Sequence, residues 1–143
     1  GVVMLNIKTA LTQLANRVKA EKDYVVEYKI NDADKWSYRK WASGIAECWL
    51  FYYNTIAPYS SGGVDNFKYS YTAAFDLPFA FVTNSDKNHH CGYSKTASVS
   101  VSNGTGVVIS GHLNDTPSKV HLHWTSNTTG VSYINIHLMG RWK

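Results

Sequence analysis

Residues 36–49, WSYRKWASGIAECW, place three of the chain's five tryptophans beside a guanidinium, an amine, a carboxylate and a thiol. The groups capable of chemistry are those of Arg39, Lys40, Glu47 and Cys48. Such a cluster has two interpretations. It is either an active site, in which these groups act on a substrate, or a β-hairpin that its aromatic side chains anchor.

The segment alternates in the manner of two strands on either side of residues 43–44, a two-residue connection typical of tight hairpin turns. This turn predicts a register in which Lys40 lies opposite Glu47 and Tyr38 lies opposite Trp49. One predicted face carries Trp36, Tyr38, Ile45, Trp49 and Phe51, and the other carries Arg39, Trp41, Cys48 and Leu50. The sequence therefore favours a structural hairpin, with its arginine left without a partner.

The histidines are the next candidates, because His121 and His123 are two residues apart and would share one face of a strand. Two imidazoles at this spacing can ligate a metal, above all where a threefold axis brings three such pairs together. The simpler interpretation, which we favour, is a strand whose polar face carries histidines while Leu122 points to the core. The HHC segment at residues 89–91 lacks the second ligand pair that zinc sites use. We therefore expect no metal and no other cofactor.

Hydrolytic chemistry has little support in this sequence. Glycoside hydrolysis needs two carboxyl groups flanking one bond, whereas most of the ten acidic residues lie in predicted turns. Serine-based acyl transfer favours a G-x-S-x-G turn, which the sequence does not contain. We predict that the protein is not an enzyme. A glycan-degrading enzyme stays as an alternative, because acidic residues distant in sequence can meet in a fold.

Binding is the chemistry that the composition supports best, since sugar recognition combines stacking on aromatic rings with hydrogen bonds to hydroxyl groups. The candidate aromatic residues are Tyr52, Tyr53, Tyr59, Tyr69, Tyr71 and Trp124. Aromatic residues at alternating strand positions more commonly belong to the core. Within this set we select Tyr59 and Trp124 as stacking faces for a ligand. The most polar loop supplies the predicted hydrogen-bonding residues Asp86, Lys87, Asn88, His89 and His90.

The overall composition sets the class of protein. The 143 residues suffice for one hydrophobic core, and 14% aromatic with 17% charged residues is typical of twisted antiparallel sheets. The net charge of +4 is spread along the sequence, which argues against a nucleic-acid partner. No segment approaches the ~20 apolar residues of a membrane span, so we expect no membrane insertion. Cys48 and Cys91 are expected to be free thiols.

Two kinds of periodicity divide the chain. In residues 1–22, apolar side chains recur at alternating spacings of three and four, which is the heptad pattern of a coiled coil. The seam consists of Met4, Ile7, Leu11, Leu14 and Val18. We predict a helix that ends a trimeric coiled-coil stalk. A single amphipathic helix lying on its own domain is the alternative.

Residues 23–143 change to a period of two, with turn signals roughly every ten residues. This pattern predicts an all-β head domain of about eight or nine strands, an antiparallel β-sandwich or jelly roll. The segment LPFAFVT is included as an edge strand or strand start, because Pro78 has no N–H for an inner ladder.

Three segments carry a resemblance to a known family: YVVEYKINDADKWSYRKWASGIAECW, FDLPFAFVTNS and YINIHLMGRWK. They are similar to the C-terminal head domains of tail-tip, baseplate or tail-fibre proteins encoded by siphophages and prophages of Gram-positive bacteria. In that family a stretch like DYVVE precedes a hairpin of the form W-x-Y-R-K-W-x-S-G-x-A-E-C-W, and the chain ends in a G-R-W-K-like tail. The likeness covers residues 23–49, about 75–85 and 131–143, and the loops between do not match.

The resemblance implies a homotrimeric virion protein whose head attaches a phage tail to a saccharide on the host cell surface and joins upstream tail or baseplate proteins. Such a protein is made in the host bacterial cytoplasm and released by lysis, in keeping with a start that lacks the pattern of a secretory signal. A purely structural tip module that holds a trimer together is the alternative. The resemblance fixes no receptor-contacting residues, so the site prediction depends on the aromatic residues and the polar loop above.

Overall fold

The structure is a computed structural model that describes residues 6–21, 23–30, 35–83, 91–109 and 114–143. One helix precedes nine strands in this part of the chain. Helix α1 covers Ile7–Glu21, and the strands are β1 Val25–Lys29, β2 Trp36–Trp41, β3 Ile45–Thr55, β4 Ser60–Ser61, β5 Tyr69–Asp76, β6 Tyr93–Val101, β7 Gly106–Ile109, β8 Lys119–Ser126 and β9 Val131–Arg141. A 3₁₀ turn, Asp65–Phe67, lies between β4 and β5.

The strands form two antiparallel sheets. The five-stranded sheet has the order β1-β2-β3-β9-β6, and the four-stranded sheet has the order β4-β5-β8-β7. We call the face of each sheet that carries the shared core its inner face and the opposite one its outer face. The predicted all-β class of two antiparallel sheets is confirmed.

The core consists of the alternate residues that both sheets direct inward. On β8 these are Val120, Leu122 and Trp124, and on β9 they include Ile136 and Leu138, all buried in one cluster. Each large apolar side chain buried in this way contributes about 1.5–3 kcal/mol to folding. The period of two along each strand thus sorts its residues between the core and the outer face.

A buried ion pair also joins the two sheets. The Lys95 ammonium on β6 donates to the Asp115 carboxylate at 2.8 Å and to the main-chain oxygen of His121 at 2.9 Å. The other oxygen of Asp115 accepts from the main-chain N–H of His121 at 2.7 Å. Both charged side chains are almost fully buried, so their mutual pairing offsets the cost of removing them from water.

The β2–β3 hairpin has a register that differs from the prediction by one residue. Arg39, not Lys40, lies opposite Glu47, and Tyr38 lies opposite Cys48. The turn contains three residues instead of two: Gly44 N–H donates to the Trp41 oxygen at 3.0 Å, and Gly44 has a φ of +94°. A three-residue hairpin loop of this kind commonly ends in a residue with positive φ, which glycine adopts without steric cost.

Residues 77–83 are not the predicted edge strand. Leu77 N–H donates to the Ser118 oxygen and Val82 N–H donates to the Arg141 oxygen, each within 2.9 Å, but the segment between them forms no ladder. Pro78 interrupts the series of N–H donors that a ladder needs. These residues therefore close one end of the molecule without extending either sheet.

As predicted, Cys48 and Cys91 form no disulfide bond, and both side chains are buried. Burial raises the pKa of both thiols above the ordinary value, which keeps them protonated. They behave as small apolar groups of the core. Among the described helices, none has the length and hydropathy needed to span a membrane.

The predicted N-terminal helix is present as α1, and its apolar seam does not enter the core. The exposed fractions of Ile7, Leu11 and Leu14 are 71%, 59% and 58%. Met4 lies outside the described residues, and of Val18 the structure describes the backbone, which is helical. The trimeric coiled coil stays a prediction.

Candidate functional site

The outer face of the five-stranded sheet is rich in aromatic side chains. On β3 the outward positions are Trp49, Phe51 and Tyr53, and on β9 they include Tyr133 and His137, which lie directly opposite Tyr53 and Trp49. The rings of Tyr53 and Tyr133 stack at 6.3 Å between centroids. Exposed rings on a rigid sheet are suited to contact a planar or ring-shaped ligand.

A carboxylate network lies at the centre of this face. Glu47 is only 5% exposed, although it lies on the outer face. One of its carboxylate oxygens accepts from Arg39 Nε, and the other bonds His137 Nε2 at 2.9 Å. Charge-assisted hydrogen bonds of this kind are about twice as strong as neutral ones. The three residues, from three adjacent strands, therefore hold one another in place.

Two tryptophans enclose the arginine of this network. The Arg39 guanidinium lies 4.8 Å from the Trp41 ring centroid and 5.2 Å from that of Trp49. His137 stacks on Trp49 at 5.4 Å with 17° between the ring planes. Since β2 and β9 flank β3 on opposite sides, Trp49 has Arg39 on one side and His137 on the other. We call these four residues, together with Glu47, the Glu47 network.

The network determines which nitrogen of His137 can accept a hydrogen bond. A hydrogen bond from the ring to a carboxylate requires a proton on Nε2. In the neutral imidazole the lone pair is then on Nδ1. His137 can therefore offer a fixed acceptor to a hydroxyl group on the outer face.

A groove of about 320 Å³ crosses the outer face beside the Glu47 network. We call it the central groove. Lys35 lines one end of it, with its ammonium 4.5 Å from the Tyr52 ring, and the outward-facing lining consists of Ser37, Trp49, Phe51, Thr96, Ser98, Asn135 and His137. It extends from β2 to β6, three strand spacings or about 14 Å. Aromatic rings, hydroxyl groups, an amide and an imidazole thus line one open channel whose volume is at the lower end for ligand sites.

Three parts of the sequence-predicted site have different outcomes. Tyr59 is exposed, as a stacking face must be. Trp124 has an exposed fraction of 0% and stacks on Tyr71 in the core, so its selection as a ligand-stacking face is wrong. The polar loop residues Asp86, Lys87, Asn88, His89 and His90 lie outside the described residues.

Tyr59 and Val82, the latter just before the predicted polar loop, lie at opposite ends of the sandwich. Tyr59 N–H donates to the Ser70 oxygen near the start of β5. Val82, just before the polar loop, donates to the oxygen of Arg141 at the end of β9. The eight residues of β5 separate these ends by about 23 Å. Tyr59 therefore lies at the end of the sandwich opposite the residue that leads into the loop.

His121 and His123 share one face of β8, as predicted, and this is the outer face of the four-stranded sheet. Nδ1 of His121 and Nε2 of His123 are buried without a hydrogen-bond partner. Within the described ranges, no group of three or more His, Cys, Asp or Glu side chains could hold a metal ion. A metal shared between copies on a threefold axis stays the alternative to the predicted metal-free strand.

The sequence interpretation missed the Glu47 network because of one turn. The alternation within β2 and within β3 was predicted correctly, but a two-residue turn paired the strands one residue out of register. When the register between two strands shifts by one residue, the side chains of one strand lie on the opposite face relative to its partner. The glycine at the end of the loop was the available signal for a three-residue turn, which would have brought Arg39 and Glu47 together.

No protein-family model matches this chain, and comparisons with curated proteins and with solved structures give no match either.

Proposed function

We propose that this chain is the head domain of a phage tail-fibre or baseplate protein and attaches the virion to a host cell-surface saccharide without catalysis. It acts as a homotrimer joined to upstream tail proteins, and the outer face of the five-stranded sheet is its binding surface. The protein is made in the host bacterial cytoplasm and acts as part of the virion.

The observation that carries the saccharide assignment is the central groove with its exposed aromatic neighbours. Phe51 and Tyr53 provide apolar rings, while Thr96, Ser98 and Asn135 provide donors and acceptors for sugar hydroxyl groups. In the neutral imidazole, Nδ1 of His137 adds an acceptor of fixed position. None of the described residues that line the groove carries a carboxyl group, whereas glycoside hydrolysis needs two, and this supports binding over cleavage.

The homotrimer is supported by α1, whose exposed seam of Ile7, Leu11 and Leu14 has the heptad spacing of a coiled coil. A seam of this length is marginal by itself, so it needs the heads or an upstream segment to reinforce it. Three copies of one weak saccharide site would give avidity without further contacts.

The central test measures how strongly the purified chain binds cell walls of Gram-positive bacteria and an array of their polysaccharides. Phe51→Ala is compared with Phe67→Ala, since the two rings are 54% and 56% exposed but only Phe51 lines the groove. We expect Phe51→Ala to weaken binding about three- to tenfold, the value of one aromatic contact, and Phe67→Ala to leave it unchanged. Equal effects would remove the groove from the proposal.

A second pair of variants distinguishes the groove from Tyr59, which the sequence selected as a stacking face. Tyr53 and Tyr59 are 62% and 66% exposed, but only Tyr53 shares the outer face with the groove. Tyr53→Ala should weaken cell-wall binding and Tyr59→Ala should not. The reverse result would return the site to the loop around Tyr59.

The exposed seam of α1 also favours a second candidate function, a structural trimerisation module at the tip of the virion. That function predicts a heat-resistant trimer with no binding on the saccharide array. An enzyme that cleaves cell-wall glycans would instead release reducing sugars from the same cell walls.

A further inference from the structure

The edge strand β1 exposes an unusual amount of apolar surface. Tyr28 and Ile30 are 71% and 77% exposed, and Val25 and Val26 are also exposed. Val25 lies four residues after Glu21, the last residue of α1. β1 is the first strand in the order of the five-stranded sheet and has only β2 as a neighbour. Its other edge is covered by no described strand.

Edge strands with apolar side chains and free main-chain groups are prone to pair with other chains, and proteins usually protect them with charge. β1 carries two charged residues, Lys29 and Glu27. The Glu27 carboxylate accepts from Tyr38 Oη at 2.6 Å and from Lys40 Nζ at 3.0 Å on the neighbouring strand. Glu27 therefore fastens β1 to β2 and does not protect the edge.

A second groove, of about 430 Å³, lies beside this strand. We call it the edge groove. It is lined by Val25, Tyr28, Lys29, Ile30, Ser37, Tyr38, Arg39 and Trp49. Its lining is more apolar than that of the central groove, with two aliphatic and three aromatic side chains. Trp49 separates the two grooves and contributes to both.

Asp23 and Tyr24, which lead into β1, are bonded to the turn between β2 and β3. The Asp23 carboxylate accepts from Ser43 N–H at 2.9 Å and from Ser43 Oγ at 2.6 Å, and the Tyr24 oxygen accepts from Ala42 N–H at 2.9 Å. Two residue steps separate Glu21, the end of α1, from Asp23, so their Cα atoms are at most about 8 Å apart. The start of β1 must therefore stay close to the end of the helix.

Because the start of β1 stays close to the end of α1, association of α1 helices would also bring copies of β1 together. Helices that pack through a heptad seam have axes about 8–10 Å apart. Three chains joined in this way would bring three copies of the start of β1 close to one axis, each with an exposed apolar edge. Burying these side chains against one another removes them from water, at about 25 cal/mol for each Å² of apolar surface.

We propose that β1 and the edge groove form the contact between heads, and that the occupant is the β1 region of a second copy of this chain. The inference depends on the homotrimer of the proposed function. It divides the outer face into two parts: the β1 side holds the copies together, and the central groove beyond Trp49 is left for the ligand.

The test compares Tyr28→Glu with Tyr53→Glu in the full chain. Both tyrosines lie on the outer face of the same sheet with similar exposure, but Tyr53 is on β3, far from β1. Light scattering and sedimentation across a dilution series measure self-association. We expect Tyr28→Glu to weaken it at least tenfold and Tyr53→Glu to change it less than twofold.

Hydrogen exchange of the unmodified chain gives a measurement that does not depend on how a variant folds. Amides of residues 25–29 should exchange slowly at high concentration and faster on dilution, while those of residues 51–55 should not change. The chain could form a trimer in which the amides of residues 25–29 exchange like those of residues 51–55 and Tyr28→Glu associates like Tyr53→Glu. That result would overturn the contact between heads but not the homotrimer. A chain that is monomeric at every concentration would overturn both, and cell-wall binding would then decide the attachment function separately.

Discussion

The outer faces of the two antiparallel sheets differ in their chemistry. On the five-stranded sheet, β3 directs Trp49, Phe51 and Tyr53 outward. On the four-stranded sheet, the outward residues of β5 are Ser70, Thr72, Ala74 and Asp76, and those of β8 are Lys119, His121, His123 and Thr125. Both inner faces meet in one apolar core. Burial in this core explains why the residues of both inner faces are apolar. The outer faces are under no such requirement and can differ.

The aromatic residues that lie outside the core are concentrated on the outer face of the five-stranded sheet. A large apolar side chain that stays exposed gains nothing from core burial. Several such residues clustered on one face commonly mark a binding surface. On the four-stranded sheet, by contrast, β5 and β8 direct no Phe, Tyr or Trp outward. The comparison therefore points to the five-stranded sheet as the functional face.

The largest effect should distinguish Trp124, on the inner face of the four-stranded sheet, from Trp49, on the outer face of the five-stranded one. Trp124→Ala should lower the free energy of unfolding by about 3–5 kcal/mol, because it leaves a cavity in the core. Trp49→Ala should cost less than half as much, since its ring is only half-buried, yet it should weaken cell-wall binding. Urea denaturation measures the first quantity. Equal costs of unfolding would remove the distinction between a core and a surface tryptophan.

The next effect compares an ion pair on each face. Glu47→Ala should lower the free energy of unfolding by about 2 kcal/mol, because two hydrogen bonds of a buried carboxylate are lost. Asp76→Ala, which breaks the exposed pair with Lys119 at 3.3 Å, should cause no measurable change. Thermal and urea unfolding of the three proteins measure this. A strong effect of Asp76→Ala would show that the outer face of the four-stranded sheet is also held by its charges.

A smaller effect concerns the histidines of the two faces. His137→Ala removes one acceptor from the central groove and should weaken cell-wall binding about three- to tenfold, the range for one hydrogen bond. His123→Ala, on the other sheet, should bind like the unmodified chain. The binding measurement is paired with an unfolding curve for each variant. If His123→Ala is the weaker binder, the assignment of the two faces is reversed.

The smallest effect is a pH dependence at the β1 edge. Hydrogen bonds from Tyr38 and then Lys40 lower the pKa of Glu27 below its ordinary value of 4.5. The lowered pKa stabilises the fold above about pH 4.5, and this contribution is lost as the pH falls through the folded value. Glu27→Gln should therefore melt slightly below the unmodified chain at pH 7, and the gap should close in acid. A gap that stays constant with pH would mean that the charge of Glu27 contributes nothing.

Much of the fold follows from local patterns. The heptad spacing predicts α1, and the period of two predicts eight of the nine strands of the described residues, all but the two-residue β4. Residues 77–83 were predicted to form a strand and do not. Pro78 has no N–H, and the chain bends here, so the segment lacks the regular series of N–H donors that a ladder needs. The candidate site was not predicted, since its residues come from different strands.

The sequence by itself determined which residues of each strand share a face, because successive side chains of a pleated strand point in opposite directions. It also determined the apolar seam of α1. Only the tertiary structure decided that Trp124 is core and Trp49 is surface, since both lie at alternating positions of apolar strands. It also decided that Arg39, Glu47 and His137 meet. Their contacts span 8 and 90 residues and depend on the length of one turn and the order of strands in a sheet, which no local pattern encodes.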